Sequence, residues 1–416
     1  MTNRGWWAFG ACLVVAACGS SKGSGGGGGP SDSGTQDVAV ADAGGGEGST
    51  GDGAVAYPAF MPAMPQIQKG TLSVIAAPVV VPVYFSGETL QPGLDMALST
   101  YLASPDFESS VKEYGVTSAT AGTSIVLTEA AGTTLSSSDI ETWLDGKLDG
   151  TNAAFGPVDP ATLAPKIFVL YYPSTTMITL GTAQSCSSFG GYHAGATLPS
   201  GAIANYLVIP RCTPPSGTTQ VDSLSEAMSG LVVSAATDPI PSLTPSATGW
   251  AGFDTAHAAF YVLGGEVGTA CDQVSPFTPS GGSPVERIWS NAAASGYHDP
   301  CVPAPSGAYF VSVPVVGDMV TSGKVTAPGV LVPKGTSRTI NVQLLSDGPV
   351  AAWPISAVSF GGGGFTYAFD QPTGQNGDTR KLTITAPATA AQDTAAILSG
   401  PAMTPRSFWV FAVQSM

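Results

Sequence analysis

Charge is what this chain has least of. Only 10% of its 416 residues are charged, with 29 acids against 14 bases and a formal net charge of −15. Such a surface offers no electrostatic footprint for nucleic acid and no basic face for anionic lipid. Histidine is scarcer still. His193, His257 and His298 are the three in the sequence, so an imidazole-based centre must draw on them. No Cys-x-x-Cys spacing occurs, which removes the usual zinc–thiolate pattern. No Gly-x-Ser-x-Gly elbow lies between a strand and a helix. Gly361–Gly364 introduces no helix, so it is no phosphate cradle. There is no internal repeat of fixed period. The N-terminal apolar run, Trp6–Ala17, is too short to span a bilayer.

What is present starts with export. Residues 1–17 read as a signal peptide with Arg4 as its one charge. The run Val14-Val15-Ala16-Ala17-Cys18-Gly19 resembles a bacterial lipobox, which implies lipidation of Cys18. Residues 18–65 follow as a disordered, acidic, Gly/Ser-rich tether. From Gly19 to Ala56, 14 of 38 residues are Gly, which corresponds to a coil of about 35 Å reach. Position 19 is not the Asp that resembles an inner-membrane retention signal. The expected place is therefore the outer membrane of a Gram-negative cell, facing the periplasm or the surface. The membrane contact is the acyl anchor.

Four cysteines remain after Cys12 and Cys18: Cys186, Cys212, Cys271 and Cys301. An even number in an exported chain suggests two disulfides, for which three pairings exist. Cys186–Cys212 and Cys271–Cys301 are preferred because each closes a loop of about thirty residues or fewer.

Periodicity then divides the folded part. Residues 66–308 alternate strand and helix. Leu72–Phe85 is β-rich, with Pro78 and Pro82 pointing to an edge or interrupted strand. Leu94–Leu102 and Ile140–Leu148 have helical spacing, and Lys166–Tyr172 and Asn205–Pro210 are apolar strands. A helix opens near Asp222, with Ser223 and Glu226 spaced as a capping box, and stops at Thr237-Asp238-Pro239. A short helix is expected over Asp254–Leu263. From Tyr309 to the end, six short strands separated by turns read as a β-sandwich, residues 309–416.

The helix ending in Ser234-Ala235-Ala236-Thr237-Asp238-Pro239, preceded by Cys186…Gly190-Gly191-Tyr192-His193 and followed by Gly265-Glu266-Val267-Gly268…Cys271, carries a resemblance. The order of these motifs over roughly residues 66–305 is similar to exported zincin-like proteins related to the plant EXORDIUM (phosphate-induced) family, in a bacterial lipoprotein form. The resemblance implies a His-Glu-x-x-Glu or His-Glu-x-x-His helix with a later Glu as third ligand. In that chemistry two ligands four apart grip zinc and the intervening Glu polarises the bound water. Here the matching positions read Gly230, Leu231 and Ser234, and Glu266 alone matches a ligand.

A displaced set of Glu226, Glu266 and His257 is the remaining metal candidate. The plainer reading gives Glu226 to the helix N-terminus and Glu266 to backbone amides. His193 then becomes a loop residue near a disulfide, and His298 satisfies a turn. Asp370, Asn376 and Asp378 could form a Ca²⁺ loop, though a plain turn fits equally short spacing. Paired carboxylates for glycoside chemistry leave no sequence spacing and stay open.

The expectation is an α+β or α/β zincin-like domain with a mixed sheet, followed by an all-β sandwich. The expected function is a non-catalytic, lipid-anchored envelope protein without cofactor, binding an unknown protein or glycan. The alternatives are a metallopeptidase with displaced ligands and a glycan-binding adhesin.

Overall fold

A computed structural model of the chain describes residues 57, 61–242, 247–322, 325–402 and 404–416. The signal peptide, Cys18 and most of the tether lie outside the described residues. The architecture is mixed α/β with strand the larger share, distributed over several sheets.

The first large sheet is built from β1 (Val79–Tyr84), β2 (Thr120–Ala121), β3 (Ile125–Val126), β4 (Lys166–Tyr172), β5 (Tyr192–Thr197) and β6 (Ile203–Pro210). Its order is β2-β1-β4-β6-β5, with β3 also on β1. β1, β4 and β6 run parallel, and β5 closes the edge antiparallel to β6. β4 is apolar throughout after Lys166, because both faces of a parallel sheet are covered. Alternate residues sort cleanly. Tyr84, Val169 and Leu207 face α1 (Gln91–Leu102) and the long helix, while Val83, Leu170 and Val208 face α2 (Ser137–Lys147).

β1 is an inner strand that begins only at Val79, so of the two readings its prolines suggested the edge does not hold and the interrupted strand does. Pro82 is tolerated because its neighbour on one side is broken in two: β2 pairs at Val79–Val80 and β3 only from Val83 onward. The missing N–H falls in that gap.

The long helix α3 runs Gln220–Thr237. It starts earlier than the Ser223–Glu226 pattern implied. Thr219 is the N-cap, its hydroxyl accepting from the backbone N–H of Asp222 at 3.1 Å. Glu226 is therefore in the second turn and does not serve the helix start. From Met228 to Thr237 every residue is buried, so the helix is covered on more than its sheet side.

Among its described residues the C-terminal part has ten strands, where the sequence pattern showed six: β7 (Phe310–Pro314), β8 (Asp318–Ser322), β9 (Val325–Val332), β10 (Ser337–Ser346), β11 (Trp353–Ser359), β12 (Thr366–Phe369), β13 (Thr373–Gly374), β14 (Thr379–Thr385), β15 (Gln392–Ser399) and β16 (Ser407–Ser415). They form two sheets, β7-β10-β14-β12 and β8-β9-β16-β15-β11-β13. Ile340, Val342 and Leu382 of one face Val330, Ile397 and Phe411 of the other across a shared core. β9 and β15 escaped notice because Pro328, Gly329 and three alanines dilute their patterns. Gly329 is required there: a Cβ would come within 2.3 Å of the Ala412 carbonyl on the parallel neighbour β16.

The two parts share one apolar core. Phe408 and Trp409 of β16 pack on Phe260, whose ring lies 5.6 Å from Trp409 and 6.2 Å from Phe408. An ion pair between Arg406 and the buried Asp299 crosses the same seam. The disulfides are Cys186–Cys212 and Cys271–Cys301, closing spans of 26 and 30 residues. Loops of that length imply about 3.5 kcal/mol each through the unfolded chain.

Candidate functional site

The site is the stretch where α3 meets the excursion from Gly264 to Trp289. Gly264 and Gly265 both take positive φ, at +90° and +71°, and turn the chain into Glu266. A tight turn follows, with the Ala270 N–H bonded to the Glu266 carbonyl at 3.0 Å. The turn is held from outside by the Trp289 N–H on the Val267 carbonyl, also at 3.0 Å.

This turn lies directly on α3. A Cβ at Gly268 would stand 1.9 Å from the Gly230 carbonyl and 2.7 Å from Ser234 Oγ. A Cβ at Gly230 would stand 2.6 Å from the Gly268 carbonyl and 1.7 Å from Glu286 Oε2. Two backbones in van der Waals contact therefore require glycine on each side. The Glu286 backbone is fixed there by its N–H on Ser229 Oγ, 2.9 Å.

The structure brings positions 230, 234 and 266 together, and places no metal-ligand set there. Glu266 is buried, and its Oε2 lies 2.9 Å from His193 Nε2 on the edge strand β5. His193 is thus a strand residue in a buried pair, not a loop residue. The burial of Glu266 pushes its pKa up. The charge and hydrogen bond of His193 and the nearby Ser234 hydroxyl outweigh this and hold it below the usual value. Burial likewise lowers His193, but Glu266 and then Asp238 raise it further, for a net upward shift. Both shifts favour the imidazolium–carboxylate form of the pair. Ser234 Oγ is near enough to favour the charged carboxylate, though without hydrogen-bond geometry to any partner.

Asp238, the residue that stops α3, is also buried beside them. Its Oδ1 accepts from the Gly249 N–H at 2.7 Å. Burial pushes its carboxyl up to about 6, with Glu266 adding to the shift and Gly249 and His193 opposing it.

A second acidic group lies on the other side of Gly230. Asp272 and Glu286 are part-buried residues, and Asp272 Oδ1 is wholly withdrawn from solvent without a partner. Burial raises both carboxyls well above the ordinary range; the charges of Glu226 and Glu266 raise Asp272 further while Glu286 opposes this, and Asp272 and then Glu226 raise Glu286 further. Two such carboxyls disfavour ionising together, because like charges side by side destabilise the charged forms.

His257 does not join Glu226 and Glu266. Its Nδ1 is 2.9 Å from both carboxylate oxygens of Asp254, and its ring packs edge-on to Trp409. His298 Nδ1 bonds Asp347 at 2.9 Å. The proposed Ca²⁺ loop separates into three unrelated tasks. Asp370 accepts from the Lys381 N–H, Asn376 from the Ser346 N–H, and Asp378 from the Gln375 N–H. Among the described residues no group of three or more His, Cys, Asp or Glu side chains could hold a metal ion.

A zinc site of the kind the resemblance implies does not fit these residues. Position 230 has no side chain, Leu231 has no base, Ser234 is fully buried, and Glu266 is committed to His193. The space of the first ligand is filled by the Glu286 carboxylate. His193 belongs to no Ser-His-Asp relay among the described residues, since its Nδ1 has no partner. Sequence reading missed the pairing of His193, the burial of Asp238, and Asp272 and Glu286 altogether. The glycine pair 230 and 268 was the one signal of close approach available.

No family model matches the chain, and no curated protein matches it. Solved structures with partial likeness include domains 4 and 5 of the S-layer protein SbsC, 19% identical over 25% of this chain and 53% of that one, with a TM-score of 0.18. A larger SbsC fragment, domains 4–9, is 17% identical over 34% of this chain and 24% of its own, also at 0.18. A conjugative transposon lipoprotein from Bacteroides eggerthii is 15% identical over 26% of this chain and 96% of its own, at 0.17. The chain spans about half or less of the S-layer chains it matches. At these scores the likeness carries no argument about fold or function.

Proposed function

We propose that the chain is a non-catalytic member of the zincin-like lipoproteins, displayed from the outer membrane through an acylated Cys18, with a binding or structural role toward a protein or glycan. One observation carries the non-catalytic part: Glu286 Oε2 lies 1.7 Å from where a Cβ at Gly230 would be. The helix position of the first ligand is thus occupied by another side chain. The convergence of positions 230, 234 and 266 supports the zincin-like frame, and the Glu266–His193 ion pair supports its conversion to a structural contact. The lipobox-like run ending in Cys18 supports the anchor, and among the described residues no helix is long and apolar enough to cross a membrane.

Two assays test this reading. Incubation of the whole ectodomain with a peptide library should give no cleavage that a chelator suppresses. Chelator-sensitive cleavage abolished by Glu266→Gln would contradict it. In cells, Cys18→Ser should move the protein from the membrane to the soluble fraction; retention in the membrane would remove the anchor.

A further inference from the structure

The two disulfides sit in unlike surroundings. Cys271 and Cys301 are 1% and 3% exposed and belong to the core that the two parts share. Cys186 and Cys212 are both part-exposed, one before β5 and the other after β6. The turn around Cys186 is a surface turn, with Gln184 and Ser187 exposed. Exchange with an outside thiol needs an approach to sulfur, and Cys186–Cys212 is the bond placed to allow it.

Cys186 also carries backbone strain. Its φ is +63°, in the left-handed region that a residue with a Cβ seldom enters. Hydrogen bonds hold the turn: the Cys186 N–H on the Phe189 carbonyl and the Ser188 N–H on the Gln184 carbonyl, each at 2.8 Å. The disulfide ties the same turn to Cys212. Releasing that tie lets the turn relax, which favours the reduced form. Strained or exposed disulfides are the more readily reduced ones.

Position gives this bond a consequence. β5 is an edge strand laddered to β6, with Tyr192 opposite Val208 and His193 opposite Leu207. Cys186 precedes β5 and Cys212 follows β6, so the disulfide closes the end of the ladder at which His193 sits. His193 is the residue that reaches across to Glu266.

We propose that Cys186–Cys212 is a reducible clasp on β5, the target of an outside dithiol such as the active-site pair of a thiol–disulfide oxidoreductase, while Cys271–Cys301 is a permanent tie. A thiolate of the dithiol attacks one sulfur and displaces the other as a thiolate, leaving a mixed disulfide. The second thiol of the dithiol then resolves it. The dithiol gives up two electrons and two protons and leaves as a disulfide; both protein cysteines end as thiols. Reduction frees the start of β5 and loosens the seat of His193 on Glu266. None of this depends on a zincin-like frame.

The test uses the whole ectodomain in native buffer. Dithiothreitol is added in rising concentration, free thiols are trapped with iodoacetamide, and the labelled sites are read by mass spectrometry. Cys186 and Cys212 should label first, with Cys271 and Cys301 still protected. In the form so reduced, amide hydrogen exchange should rise at residues 192–194 and stay unchanged in β4. The double variant Cys186→Ser, Cys212→Ser should show the same local rise without reductant. Labelling of all four cysteines together, or only on global unfolding, would overturn the proposal. Selective reduction with exchange at residues 192–194 unchanged would overturn it as well, since the bond would then clasp nothing.

Discussion

At residue 230 a hydrogen atom is the largest side chain that fits. The Gly268 carbonyl and the Glu286 carboxylate occupy the volume a methyl group would need. Gly230→Ala is therefore expected to destabilise the protein by roughly 1–3 kcal/mol, the usual range for overpacking. A shifted urea midpoint with an unchanged slope would show it. The Glu266–His193 pair has the opposite logic. Glu266→Ala leaves a buried imidazole without its counter-charge, a change worth about 3–5 kcal/mol for a buried pair. Glu266→Gln keeps a hydrogen-bond acceptor and should lose less. Equal losses in the two variants, by chemical denaturation, would rule out the charged pairing. The pair could not be read from sequence, because 73 residues separate its members and no spacing rule links an edge strand to a turn. The missing ligands at Gly230, Leu231 and Ser234 were plain in the sequence, since glycine and leucine have no side-chain donor atom and a serine hydroxyl is not one of zinc's usual ligands.

Among the elements, α3 and the excursion from Gly264 to Trp289 set the pH behaviour. Asp272 and Glu286 have raised pKa values in the folded state. Their contribution is complete below the ordinary carboxylate range, about 4, and is lost as pH rises through the raised values. Asp238, pushed up to about 6, acts in the same sense. Glu266, held low, contributes above that ordinary range and loses its contribution as pH falls through its lowered value. His193, held high, contributes fully below about 6.5 and loses its part as pH rises through its raised value. Thermal stability should therefore peak on the acid side of neutrality and fall toward alkaline pH. Glu286→Gln should flatten the alkaline fall, and a profile identical to wild type would refute the role given to the carboxyl pair.

The elements were legible in unequal measure. β4 and β6 stood out because both faces are buried and their residues are uniformly apolar. The start of α3 is harder to read, because Ser223 and Glu226 satisfy the capping-box pattern while the actual cap is Thr219, just past the turn at Gly217. The local pattern cannot decide between two hydroxyls one turn apart. β9 and β15 were invisible because Gly329 and the alanines answer to a close neighbouring strand, not to hydrophobic alternation.

For the molecule as a whole, the seam matters more than either part. Phe408 and Trp409 belong to the sandwich, yet they pack with Phe260 in the core of the α/β part. A fragment of residues 309–416 alone would expose both rings. It should bind a hydrophobic dye and aggregate, where the whole ectodomain does not; a monomeric fragment with a sharp unfolding transition would contradict this. For the same reason, glycan or protein partners are best sought with the whole ectodomain. Under the zincin-like reading proposed above, the Glu286 carboxylate fills the place of the first zinc ligand at Gly230. Elemental analysis of the ectodomain, purified after growth and dialysis with excess zinc, tests it most directly. Far less than one zinc per chain is expected, with no change on Glu266→Gln. One equivalent of zinc per chain, lost in that variant, would contradict it.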